Sequence, residues 1–172
     1  MAFRTSQGSG YVIDGTDSSG ARDGIRQAPK IQALFEADDT ISVGHLCAHD
    51  TGSTTGTLVV SCLTATADDH RFVGIYEGEG GSGSTTTSTG LSGKDAADGD
   101  FIWVTAYGKA LGLCVGSGTA VVDGDPVAPS GATAGVILGL TSTQASGLTM
   151  PLIALEGHTG AAEGKAIFVK CM

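Results

Sequence analysis

The stretch GDFIWVTAYGKALGLCVGSGTAVVDGDPVAPSGATAGVILG, residues 99–139, carries the strongest fold signal in the chain. Its apolar runs are short, rich in Val, Ile, Leu and aromatic residues, and each ends at Gly or Asp, a pattern typical of β-strands joined by tight turns. Tyr107-Gly108-Lys109 separates two of these runs, and a glycine that can adopt positive φ predicts a hairpin there. We expect strands near 101–107, 110–115, 119–122, 126–128 and 134–140.

The same pattern continues on both sides of this stretch. Further strands are expected near 41–48, 57–64, 71–77, 151–155 and 166–171. About ten short strands with almost no helix predict an all-β fold, a small Gly-rich β-barrel or sandwich. APKIQALFEADD (28–39) leaves two alternatives open. Its apolar residues have helical spacing after Pro29, which favours a short helix, and a strand is the other interpretation.

Composition narrows the function classes. The 172-residue chain has a formal net charge of −9 and only nine Lys and Arg residues, scattered along it. Nucleic-acid binding requires clustered cations, so the composition argues against a nucleic-acid partner. No apolar run approaches the roughly 18 residues of a transmembrane helix. The opening MAFRTSQGSG has no apolar core of a signal peptide, so we expect synthesis in a cytoplasm and no membrane association.

Two segments lack the apolar residues that a core needs. Residues 1–30 are rich in Gly, Ser and Asp, and only Tyr11-Val12-Ile13 breaks this pattern, so we expect an extended arm. Residues 78–93, GEGGSGSTTTSTGLSG, are low in complexity and predict a flexible loop. The remainder, residues 31–172, is expected to be a single β domain that contains this loop.

Motifs for phosphate or cofactor binding fail in context. Gly78, Gly80 and Gly83 match GxGxxG, but STTTSTG follows where the dinucleotide fingerprint needs a helix. The acidic pairs fall in Asp-Gly-type turns, so turn stabilisation is the favoured interpretation, and a hydrolase with a dispersed acid site is an alternative. We expect no cofactor and no enzymatic activity.

One strand carries weak candidates for metal ligands. His45, Cys47 and His49 alternate and could face one side of a strand, with Cys62 or His70 completing a tetrahedral zinc site. Closed zinc sites usually contain two tight ligand pairs, which this segment lacks, so no metal is expected.

The four cysteines are far apart and lie in or beside apolar runs, where cysteine behaves as a small hydrophobic residue. Free buried thiols are the favoured interpretation, with a disulfide or a metal role as alternatives. They are Cys47, Cys62, Cys114 and Cys171.

RFVGIYEG (71–78) and the quoted stretch 99–139 together resemble phage capsid decoration proteins, also called cement or head-stabilising proteins. The shared features are a Gly-Asp, strand, Gly, strand unit, then Gly-Asp-Pro-Val and an Ala-Gly-Val return strand. The resemblance implies a structural virion protein, without catalytic residues, made in the host cytoplasm. It also implies a homotrimer, in some cases a monomer, bound to the major capsid protein at three-fold or quasi-three-fold positions on the outer capsid surface.

The arm is the expected contact with the capsid, because a segment poor in apolar residues cannot fold alone and can order on docking. The candidate contact residues are Phe3, Arg4, Tyr11, Val12, Ile13, Arg22 and Arg26. The alternative function is a phage tail-fibre or carbohydrate-binding adhesion module. Sugar binding needs exposed aromatic rings, and Trp103, alternating with Phe101, is expected to lie in the core.

Overall fold

The computed structural model describes residues 3–6, 30–50, 58–63, 70–85, 91, 93–114, 121–122, 124–130, 133–139, 152–155 and 165–171. Within these ranges the regular elements are strands, apart from a short 3₁₀ turn at residues 70–71. The strands are β1 (Phe3–Ser6), β2 (Lys30–Ala37), β3 (Leu46–His49), β4 (Val59–Cys62), β5 (Phe72–Tyr76), β6 (Phe101–Cys114), β7 (Val127–Pro129), β8 (Ile137–Gly139), β9 (Leu152–Ala154) and β10 (Lys165–Cys171). The predicted all-β class is confirmed. No helix in the described part of the chain is long and apolar enough to cross a membrane.

Five of the strands close into a barrel. Strand β2 pairs in parallel with β4, and the ring then continues through antiparallel β4–β3, β3–β5, β5–β6 and β6–β2 pairs. The sequence left a β-barrel and a β-sandwich as alternatives, and the structure forms the barrel. The parallel β2–β4 contact is short, with only the partner pairs Glu36↔Val59 and Ala37↔Val60, and the β5–β6 contact likewise has only two partner pairs.

The segment 28–39 forms a strand, so the helix alternative is wrong. Ala33, Phe35 and Ala37 are buried in the barrel interior, and the residues between them alternate to the outer side. Pairing with β1, β4 and β6 satisfies the backbone of β2 along its length. These partners are distant in sequence, and they override the helical spacing of its apolar residues.

The hairpin predicted at Tyr107-Gly108-Lys109 is also wrong, because β6 runs without interruption from Phe101 to Cys114. Its first half pairs with β2 and β5 in the barrel, and its second half pairs with β10. Gly108 lies between the two halves with φ of 104°. A glycine with positive φ here bends a continuous strand from one layer into the next.

The second layer covers the outside of β3 and β5. It comprises the far half of β6 with β10, β9, β8 and β7. Leu46 and Ile75 project outward from the barrel and pack with apolar residues of this layer, among them Ile137 and Leu152. Each such buried aliphatic side chain contributes about 1.5–3 kcal/mol, so this cluster holds the layer on the barrel. Of the strand expected at 119–122, residues 119 and 120 lie outside the described residues, and Val121 is buried in this cluster.

The described part of the 78–93 loop is hydrogen-bonded to the segment that follows it. The Gly83 N–H donates to the Asp95 carbonyl at 2.9 Å, and the Asp95 N–H donates to the Ser84 carbonyl at 2.9 Å. Leu91 is buried in the barrel core cluster. Residues 86–90 and 92 lie outside the described residues, so the flexibility of the loop as a whole stays a prediction.

Candidate functional site

The three candidate metal ligands do not form a shared site. Cys47 is fully buried in the barrel interior, while His45 and His49 are half-buried at the two ends of β3. The nearest contact joins His45 Nδ1 to Cys62 Sγ at 3.3 Å. Among the described residues no group of three or more His, Cys, Asp or Glu side chains is arranged to hold a metal ion. His70, the other residue considered for the site, is exposed.

The His45–Cys62 contact lies in a cleft of about 320 Å³ at the barrel surface. Burial and the negative charge of Asp39 raise the pKa of Cys62 to about 11. Burial lowers the pKa of His45, with Asp95 opposing this shift. At neutral pH the pair is therefore a thiol beside a neutral imidazole, and the activated thiolate of a cysteine nucleophile is not favoured. The cleft is lined by Asp39, Thr40, His45, Ala48, Ser61, Cys62, Arg71 and Ala134.

Several carboxylates accept hydrogen bonds from backbone N–H groups in turns. Asp95 Oδ1 accepts the Val43 N–H at 2.9 Å, and Asp125 Oδ2 accepts the Val122 N–H at 2.9 Å. Asp100 accepts the Ala97 N–H at 2.7 Å and both the N–H and the hydroxyl of Ser82. Their oxygens bind backbone donors in turns, which accounts for these positions without a substrate.

The predicted arm begins as a strand of the protein's own sheet. Strand β1 pairs antiparallel with β2, with Phe3 opposite Ala33 and Ser6 opposite Lys30. Because Ser6 and Lys30 are partners, the two ends of the segment between them lie at adjacent positions of the sheet. The arm is thus closed at its base, which sequence reasoning did not predict.

Of the predicted capsid contacts, Phe3 and Arg4 lie in β1. The other five lie in the 23-residue connection 7–29, outside the described residues: Tyr11, Val12, Ile13, Arg22 and Arg26. No described contact tests any of these seven assignments, and they stay predictions.

The barrel end that holds Ser6 and Lys30, the residues flanking this connection, carries two exposed apolar side chains. Ile31 is 39% exposed and Tyr107 is 52% exposed, and the two residues are partners across β2 and β6. Ile31 is also the partner of Thr5 in β1. We call Ile31, Tyr107 and the base of the connection at Ser6 and Lys30 the arm end of the barrel. This pair was not predicted from the sequence, and the available signal was an aromatic residue, Tyr107, directly before a glycine inside a strand.

A second exposed aromatic lies on the outer face of β6. Phe101 is 56% exposed and Trp103 is half-buried, whereas Ile102 and Val104 fill the barrel interior. The expectation that Trp103 belongs to the core is therefore wrong. Leu34 is its partner on β2 and is also half-buried, so this face is apolar and partly open to solvent.

No family model matches the chain, and no curated protein matches it. Among solved structures, the head fibre gp8.5 N base of bacteriophage phi29 is similar over 82% of this chain and 92% of that chain, with 15% identity and a TM-score of 0.43. A likeness at this level identifies neither the family nor the function of this chain.

Proposed function

We propose that this protein is a structural component of a bacteriophage head that binds the outer surface of the capsid and stabilises it, without catalysis. It is made in the host cytoplasm and becomes part of the virion, and its partner is the major capsid protein. The sequence resemblance of 71–78 and 99–139 to decoration proteins supports this function. So does the acidic charge of −9, which keeps the protein soluble before assembly and away from DNA.

The main support for the proposal is the position of Ser6 and Lys30, which flank the connection 7–29, beside exposed Ile31 and Tyr107. A long polar segment cannot bury enough apolar surface to fold alone, and it can order against a partner surface. The apolar pair supplies what the segment lacks, since desolvated apolar anchors dominate binding energy. The arm end is therefore the proposed capsid-facing surface, formed by a rigid barrel and an adaptable loop.

The first experiment mixes the purified protein with expanded capsids of its own virus that lack it. We expect co-sedimentation at a copy number close to that of the three-fold or quasi-three-fold positions. Light scattering on the free protein tests the homotrimer. Failure to co-sediment at any ratio near stoichiometric would sink the decoration function.

A second experiment tests the arm end itself. Because Ser6 and Lys30 are partners, residues 7–29 can be replaced by a two-residue Asp-Gly turn that keeps β1 in place. Capsid binding should fall at least about tenfold, the loss of one or more anchors of about 1.4 kcal/mol, while circular dichroism stays unchanged. Equal binding by the shortened chain would refute the role of this loop.

A matched pair of substitutions separates the arm end from general surface apolarity. Tyr107→Ser removes an exposed aromatic at the arm end, and Val122→Ser removes a 60% exposed aliphatic elsewhere. We expect the first change to weaken capsid binding and the second to leave it unchanged. The opposite ranking would place the contact on another face.

The exposed ring of Phe101 and the half-buried Trp103 favour a second candidate, a carbohydrate-binding adhesion module. Sugar rings stack on aromatic faces, and these two side chains share the outer face of one strand. Titration of bacterial surface glycans while following Trp103 fluorescence tests this function. A saturable change that Phe101→Ala abolishes would favour the adhesion module, and no change over the series would exclude it for those glycans.

A further inference from the structure

Cys47 and Cys62 are direct partners across β3 and β4. The flanking hydrogen bonds identify their pair type: the Leu63 N–H donates to the Leu46 carbonyl at 3.0 Å, and the Asp50 N–H donates to the Val59 carbonyl at 2.9 Å. Hydrogen-bonded and non-hydrogen-bonded pairs alternate along an antiparallel ladder, so Cys47 and Cys62 form a non-hydrogen-bonded pair. In such pairs the Cα atoms are about 4.5 Å apart, within the range of roughly 4.4–6.8 Å that a disulfide spans.

The two side chains share one face but differ in access. Cys47 is fully buried in the barrel core cluster, and Cys62 is half-buried and packs against the same cluster. Both are free thiols. Cys62 also lines the surface cleft together with His45. A small molecule can therefore reach the Cys62 sulfur, while the Cys47 sulfur is accessible only from Cys62.

We propose that Cys47 and Cys62 are an oxidation site, which a small-molecule disulfide converts into a cross-strand disulfide bond. This inference does not depend on the capsid function. Cys62 Sγ, 3.3 Å from His45 Nδ1, gives its proton to the solvent, and the Cys62 thiolate attacks one sulfur of the oxidant. The oxidant's S–S bond breaks, and its first leaving thiolate takes up a proton from the solvent.

The second step resolves the mixed disulfide. Cys47 Sγ attacks Cys62 Sγ, the second small thiolate leaves, and it takes the proton of Cys47. In sum, two protein thiols and one small disulfide give one protein disulfide and two small thiols. The protein is oxidised by two electrons and the small disulfide is reduced by two.

The bond would strengthen the barrel beside a short stretch of strand pairing. Strand β4 is held to β2 by only two partner pairs, Glu36↔Val59 and Ala37↔Val60. A covalent link from β4 to β3 restrains β4 on its other edge. The disulfide would close residues 47–62 into a loop in the unfolded chain and so lower its conformational entropy. This should raise the melting temperature by about 5–10 °C.

The test incubates the reduced protein with oxidised glutathione. A parallel reaction without protein contains dithiothreitol in the same buffer, and its oxidation shows that the oxidised glutathione is active. Intact mass should fall by two hydrogens, and peptide mapping without reduction should link Cys47 to Cys62. The Cys47→Ser variant lacks the resolving thiol and should accumulate one glutathione on Cys62. The melting temperatures of the oxidised and reduced wild-type protein should differ as predicted above, and this comparison does not depend on the folding of a variant.

Three results would overturn the proposal. One is an unchanged mass when dithiothreitol is fully oxidised. Another is a glutathione adduct that persists on Cys62 in the wild-type chain. The third is a disulfide that joins either residue to Cys114 or Cys171 in its place.

Discussion

Tyr76 is the largest fully buried side chain of the barrel, and its hydroxyl donates to the Lys94 carbonyl at 2.6 Å. Burial raises its pKa to about 12, so the hydroxyl keeps its proton and remains a donor. Tyr76→Phe keeps the ring but removes this part-buried hydrogen bond, and should lower the free energy of unfolding by about 1 kcal/mol. Urea denaturation measures this loss. Tyr107→Phe, at an exposed position, should have no effect, and equal losses in the two variants would contradict this assignment.

Cys62 offers a second prediction for a single residue. Because burial and Asp39 raise its pKa to about 11, its reactive thiolate is scarce at neutral pH. Alkylation by iodoacetamide should be slow near pH 7 and accelerate about tenfold for each pH unit up to about pH 10. Asp39→Asn removes a negative charge and should shift this profile to lower pH. A rate that is already maximal near pH 8 would contradict the raised pKa.

At the scale of the residue, the alternation of side chains along β6 could be predicted from the sequence. Which set of side chains faces the barrel interior could not. The sequence separates Phe101 and Trp103 from Ile102 and Val104 as two faces of one strand. Both sets are apolar, so the larger aromatic rings were assigned to the core. The narrow interior of a five-stranded barrel is filled by the smaller aliphatic pair, and this depends on closure by distant strands.

Strands β5 and β6 approach closely at Gly74, whose φ is 154°. A Cβ atom at this position would collide with the Thr105 carbonyl oxygen and lie 2.8 Å from Val104 Cγ1. Gly74→Ala should therefore destabilise the barrel by about 2–3 kcal/mol through overpacking. Gly99→Ala is the control, since its φ is 83° but nothing lies within 4 Å. It should cost only about 1 kcal/mol of backbone strain, and equal losses would argue against the steric cause.

The turn that precedes β6 depends on Asp100. Hydrogen bonds from the Ala97 N–H and from Ser82 lower the pKa of this carboxyl. A lowered folded-state pKa means stability that is present above the unfolded pKa and lost as pH falls through the folded value. Thermal melting from pH 7 down to about pH 3 should show a smaller acid loss for Asp100→Asn than for the wild type. Asp98→Asn, on an exposed neighbour, should melt like the wild type, and identical acid profiles for all three would refute this role.

The elements themselves were largely predictable, and the errors share one cause. Most strand positions follow from short apolar runs between Gly and Asp, which are local signals. A glycine inside an apolar run is compatible with either a hairpin turn or a bend in a continuous strand. At Gly108 the strand continues because β10, more than 50 residues away, pairs with the second half of β6. The base of the arm depends in the same way on β1 finding β2.

At the scale of the whole molecule, we expect the connection 7–29 to lower the stability of the fold while it contributes to the proposed capsid binding. It closes a 23-residue loop between Ser6 and Lys30, and loop closure opposes folding through chain entropy. Replacing it by a two-residue turn should raise the free energy of unfolding by about 1–2 kcal/mol, in the same variant that we propose to bind capsids more weakly. Denaturant unfolding measures this gain. A less stable shortened chain would mean that residues within 7–29 pack on the barrel.

Strand β6 gives one continuous length of backbone to both the barrel and the second sheet. A pulling force along this strand would run across its ladder bonds, which lie perpendicular to it, so that they bear the load together in shear. Peeling them open one at a time would require a force in another direction. The two layers would then yield as one unit under tension, and this mechanical behaviour suits the proposed role in stabilising a capsid.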